Sequence, residues 1–113
     1  MNLGEWIKEF PGAITVCGSD GIIIEMNDRA CKMFEKDGGS ELIGKNVLDC
    51  HPGKAREKIK EMLESRAMNC YTIEKNGVKK LVYQTPWYKD GQYMGLAELV
   101  LEIPFDMPHF LRK

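Results

Sequence analysis

The chain has 113 residues, 43% of them hydrophobic, which supports one buried core and makes a single domain the expectation. Lys and Arg number 16 against 17 Asp and Glu, a net charge of −1 with the basic residues scattered, so charge gives no reason to expect a nucleic acid or an anionic membrane as partner. No apolar run approaches the roughly 20 residues of a membrane helix, and an acidic, amphipathic segment follows Met1 in place of a basic leader, so a cytoplasmic protein is expected.

In chain order, "LGEWIKEF" places Leu3, Trp6, Ile7 and Phe10 on one helix face before Pro11 and Gly12 stop it. "AITVCGSDGIIIEMN" predicts two strands around Gly18-Ser19-Asp20-Gly21, with the Asp-Gly pair supplying positive φ. Asn27 is placed to cap a short helix starting at Asp28, with Ala30, Cys31 and Phe34 on one side. "EKDGGSEL" breaks that helix, and a brief helical turn near Glu41 to Ile43 leads through "KNVLD" to Cys50-His51-Pro52. From Gly53, the apolar residues Ala55, Ile59, Met62 and Leu63 repeat at helical spacing to about Ser65–Ala67. Asn76-Gly77 and Asp90-Gly91 then separate three strands rich in β-branched and aromatic residues. Pro104 and Pro108 end the last strand and begin a tail.

The fold class expected is therefore α+β, a five-stranded antiparallel sheet with short helices on one face and an N-terminal amphipathic helix. Its parts are residues 1–12 as cap or dimer contact, a domain at 13–103 and a tail at 104–113. Consecutive apolar residues in Leu81-Val82-Tyr83 and Leu99-Val100-Leu101 predict that both sheet faces are at least partly covered. Cysteines at 17, 31, 50 and 70 form no C-x-x-C pair, which suits separate reduced thiols better than a disulfide framework or a zinc knuckle.

The Asp-Gly hairpin followed by "IIIEMN", the "ELIGK" ahead of the middle helix and the ending "TPWYKDGQYMGLAELVLEI" together resemble the PAS family of sensory modules over residues 13–103. "NVLDCHPGKAREKIKEML" is similar to a PAS subgroup attached to bacterial hemerythrin-like domains, which carries a Cys-His-Pro; here Gly53 stands where that pattern has a further proline. The resemblance implies a PAS fold with a pocket between the inner sheet face and the middle helices. It does not fix a ligand, because PAS domains hold flavin, haem, carboxylic acids or nothing known.

Two readings compete for Cys50-His51. In the structural one, Pro52 opens the helix, Asp49 or His51 caps it, and Cys50 is a small buried hydrophobe. In the functional one, His51 is a haem ligand, the one candidate beside a middle helix that contains no histidine. The structural reading is preferred, since a lone Cys-His pair supplies at most two ligands. The "NCRFLQ"-like helix of photoactive flavin PAS domains is absent, which leaves only non-covalent flavin open. Strand alternation together with the family's register puts Cys70, Thr72, Val82, Gln84, Gly95, Ala97 and Leu99 on the inner face, opposite Ile59 and Met62. That lining suits a small, mostly uncharged ligand held by one or two hydrogen bonds.

Neither a catalytic triad, a phosphate loop nor paired metal ligands are found, so no enzyme is expected. The function expected is a sensor or interaction module in signal transduction, a homodimer that acts on a signalling protein in trans or on an effector domain outside this chain. A haem-binding gas or redox sensor using His51 and a ligand-free dimerisation domain are the alternatives.

Overall fold

The computed structural model describes residues 4–113. Five strands, β1 (Ala13–Gly18), β2 (Ile23–Met26), β3 (Asn69–Lys75), β4 (Val78–Lys89) and β5 (Gln92–Ile103), form one antiparallel sheet in the order β2-β1-β5-β4-β3. The first and last strands lie side by side at its centre, from Ala13 opposite Val100 to Gly18 opposite Gly95.

The turn residues set this arrangement. Asn76 and Gly77 take φ of 54° and 78°, and Asp90 and Gly91 take 51° and 77°. Two consecutive positive values give the type I′ turn, whose twist matches that of the strands it joins. The first hairpin differs from expectation: Gly21 alone has positive φ, 85°, while the Asp20 carboxylate accepts from Ile22 N–H at 3.0 Å. Pro86 lies within β4 but beyond the last β3 pair, Asn69 with Gln84, where β4 has become an edge that tolerates a residue without an N–H.

Helices α1 (Glu5–Lys8), α2 (Asp28–Met33) and α3 (Gly53–Ser65) are joined by 3₁₀ turns at Glu35–Asp37, Gly39–Leu42 and Val47–Cys50. The N-terminal helix is shorter than the apolar spacing predicts, and Leu3 lies outside the described residues. Its early end has a cause: the Ile7 carbonyl accepts from Phe10 N–H at 3.3 Å and from Asn27 Nδ2 at 3.0 Å, which turns the chain toward β1. Phe10 still meets Trp6 edge to face at 5.5 Å, but Trp6 remains 50% exposed.

Asn27 is the hub of this corner. Its Oδ1 accepts from Ala30 N–H at 3.0 Å, the N-cap bond of α2, and from Ile14 N–H at 2.9 Å, while Nδ2 donates to Gly12 O at 2.8 Å as well as to Ile7. The side chain is 3% exposed, with each of its polar valences occupied.

The amphipathic α3 buries Ile59 and Met62, and Arg66 ends it in the left-handed region at φ 59°. Tyr93 on β5 ties that end down: its hydroxyl donates to Leu63 O at 2.9 Å while the Arg66 guanidinium lies 4.5 Å from its ring centre. Ile59 and Met62 pack with Cys17, Ile23, Leu42 and Leu96 in one core cluster, and Ala13, Ala30, Val82 and Val100 make a second. Burying a side chain of leucine size is worth about 2 kcal/mol, so these clusters hold the helices on the inner face. Among the described residues no helix is long and apolar enough to cross a membrane.

Candidate functional site

The inner face and its helical cover enclose a cavity of about 590 Å³. Its floor is Thr15, Cys17, Tyr71, Ile73, Val82, Leu96, Glu98 and Val100 from the sheet, and Ile23 and Met26 from β2. Its roof is Met33, Phe34, Asp37, Leu42 and Val47, with Cys50 and His51 just ahead of the middle helix and Ile59 within it. The lining is chiefly apolar, as small-molecule sites are. The cavity is open toward β3, where Tyr71 is 44% exposed and Ile73 is also exposed although both line it.

One row of cross-strand partners carries the polar groups of the floor. Asn69 stands opposite Gln84, Gln84 opposite Glu98, and Glu98 opposite Thr15. Asn69 Nδ2 donates to Gln84 Oε1 at 2.9 Å, and Gln84 Nε2 donates to Glu98 Oε2 at 2.7 Å. Gln84 is 8% exposed, so its packing fixes the amide and the amide fixes the carboxylate. Tyr71, on the same floor, has its hydroxyl pushed up from the ordinary phenol range, first by burial and then by the Glu98 charge. Burial does the same to the Cys17 thiol; a backbone hydrogen bond with Leu96 opposes it, and Asp20 and Glu98 add to it.

Of the residues expected to line a pocket, Ile59 and Val82 do so, Gln84 acts through Glu98, and Met62 is buried in the core cluster beside it. The inner-face placement of Cys70, Thr72, Gly95, Ala97 and Leu99 is corrected by the strand register. The Asn76-Gly77 turn pairs Val82 with Tyr71, which leaves Thr72 opposite Leu81 and Cys70 opposite Tyr83 on the other face. In β5 the cause is a bulge. A regular ladder counted from Asp90-Gly91 would pair Val82 with Leu99 and Gln84 with Ala97. Tyr88 still pairs with Tyr93, but Trp87 pairs with Gly95, so Met94 is an extra residue and the parity flips to Leu96, Glu98 and Val100.

Gly95 is thus a packing residue. Its φ is 151°, and a Cβ there would overlap Cys17 O and lie 2.6 Å from Gly18 C. From the opposite strand Trp87 Nε1 donates to that same Cys17 O at 3.0 Å. Glu98, Thr15 and Tyr71 were missed by sequence reading. For Tyr71 the two-residue turn carried the signal; for Glu98 nothing in the sequence announced the bulge.

Cys50 and His51 also depart from expectation. Pro52 is the residue before α3, no side chain caps the helix, and Cys50 is exposed where a buried hydrophobe was expected. The His51 ring is half-buried, with Nδ1 2.8 Å from Val47 O. As a carbonyl only accepts, Nδ1 carries the proton in the neutral ring and Nε2 keeps a lone pair. Among the described residues no three His, Cys, Asp or Glu side chains converge to hold a metal ion.

This arrangement of sheet, helices and cavity is the PAS fold, and solved structures agree. A PAS domain of an HTR-like protein from Haloarcula marismortui superposes with a TM-score of 0.62 at 19% identity, covering 89% of this chain and 88% of that one. A C-terminal domain from Streptococcus mutans gives 0.70 at 24% identity, with 85% and 78% covered. The Aer2 receptor of Vibrio cholerae, a dual PAS-haem oxygen sensor, gives 0.61 at 15% identity over 82% and 95%. No family model and no curated protein matches the chain.

Proposed function

We propose that this chain is a PAS sensor and interaction module in signal transduction, whose inner cavity takes a small, largely apolar ligand. The observation that carries this is the cavity itself, about 590 Å³ of mostly apolar space into which Thr15, Tyr71 and Glu98 present polar groups from a rigid sheet. Binding there acts through the roof of short helices and 3₁₀ turns that lies over the sheet. Val47→Phe, which extends an aromatic ring from the roof into the space, separates this from a packed, ligand-free core. In a thermal-shift screen of small apolar compounds, hits raise the Tm of the wild type and not that of Val47→Phe. A library that moves neither protein defeats the reading.

The partner in this proposal is a second copy. The outer face carries Leu81, Tyr83, Leu99 and Leu101, and Phe10 lies by Leu101, because a Cβ on Gly12 would meet Phe10 Cε2 at 2.9 Å and Leu101 Cδ2 at 2.5 Å. The short α1 leaves Tyr83 and Trp6 exposed at this apolar patch. Self-association in sedimentation equilibrium that Trp6→Asp weakens supports it, and a monomer at every concentration refutes it.

His51 at the cavity wall is the feature that favours haem. The rest of the lining does not fit that group: Asp37 and Glu98 face the space and no Lys or Arg does among the described residues, so haem propionates would meet carboxylates.

A further inference from the structure

We infer that the ligand of this cavity is a small organic cation, an apolar body bearing one protonated nitrogen that donates to Glu98. The inference rests on the cavity reading above and specifies the polar end of its ligand.

Glu98 lines the cavity and is in no ion pair among the described residues, where Lys8 with Asp28, far out on the surface, is the pair that forms. Its one protein hydrogen bond comes from a neutral amide, Gln84 Nε2 to Oε2 at 2.7 Å, which orients the carboxylate without neutralising it. On the same face the next cation by register is Lys80, two rows along and opposite Glu102. Across the cavity the roof adds Asp37, a second carboxylate. The negative field reaches the neighbouring groups, since the Glu98 charge helps raise both the Cys17 thiol and the Tyr71 hydroxyl.

A carboxylate held in mostly apolar surroundings favours a partner that is charged and donates a hydrogen bond. The rings of Tyr71 and Phe34, also in the lining, offer negative π-faces to the same kind of group. An anion would be repelled by both carboxylates, and a neutral ligand would leave Glu98 without a countercharge.

The test compares phenethylamine, phenethyl alcohol and hydrocinnamate, which share one aromatic body and differ in an ammonium, a hydroxyl or a carboxylate. Calorimetric titration of the full chain is expected to show phenethylamine binding about tenfold more tightly than the alcohol, a single charge-assisted hydrogen bond's worth of discrimination, and hydrocinnamate weakest. In Glu98→Gln the amine loses far more affinity than the alcohol, and its preference collapses. Val47→Phe weakens the amine and the alcohol together. If the alcohol or hydrocinnamate binds the wild type as tightly as the amine, or if Glu98→Gln keeps the preference, the cation is wrong and the cavity reading stands. If none of the three binds, both fall.

Discussion

Two polar side chains are embedded in the same apolar layer and end differently. Asn27 gives each of its hydrogen-bonding valences to a backbone group of α1, the β1 entry or α2. Glu98 receives one hydrogen bond, from Gln84, and presents the remainder of a charged group to a cavity. The first ties three chain segments together through four hydrogen bonds of one side chain. The second contributes to no junction that Gln84 and the ladder do not already hold. The contrast separates a polar group kept for architecture from one kept for what it can meet.

The largest expected effect is at the architectural end. Asn27→Ala leaves the Ile14 and Ala30 N–H groups and the Gly12 carbonyl without that partner and takes from the Ile7 carbonyl one of its two donors, and an unsatisfied buried backbone group costs about 1–3 kcal/mol. Some regain water, so a loss of about 3 kcal/mol in urea unfolding is expected. Asn27→Asp keeps both acceptor bonds and loses both donor bonds, and should fall between. At the other end, Glu98→Gln retains an oxygen that can accept from Gln84 and is expected to change stability by less than about 1 kcal/mol. If the two losses prove equal, the distinction between the sites is void.

The same contrast explains what could be read from the residues. Asn27 was legible because capping is local: the side chain reaches an N–H three residues on, and the Asn-Asp pair ahead of an apolar face states it. The strands were legible because Asn-Gly and Asp-Gly announce type I′ turns, and the outcome was the expected five-stranded sheet. Glu98 was not legible, because its direction depends on whether Met94 is counted in the ladder. A bulge shifts every later side chain to the other face and leaves no compositional mark beyond Gly95, which strand alternation puts on the inner face and against which the backbone of β1 packs. His51 failed for a related reason: its partner is a carbonyl four residues back, in a 3₁₀ turn that the apolar spacing did not disclose.

The smallest expected effect probes the Glu98 field without any ligand. Burial is the first cause holding the Cys17 thiol above its ordinary range, and the Asp20 and Glu98 carboxylates add to it against the Leu96 backbone hydrogen bond. A thiol whose folded pKa is raised binds its proton more tightly in the native state than in the unfolded chain. Its contribution to stability is therefore complete below the ordinary thiol range and is lost as pH rises through the folded value. In a background with Cys31, Cys50 and Cys70 replaced by Ser, the alkylation rate of Cys17 against pH reports that value, and its midpoint should lie above that of an exposed thiol. Glu98→Gln should lower the midpoint slightly, since it removes a minor cause and leaves burial in place. Thr15→Val, a neighbour of Glu98 in the same row that carries no charge, should leave it where it was. A midpoint that Glu98→Gln does not move would mean that the carboxylate is screened before its field crosses to the next strand. The charge that distinguishes this side chain from Asn27 would then not act inside the cavity.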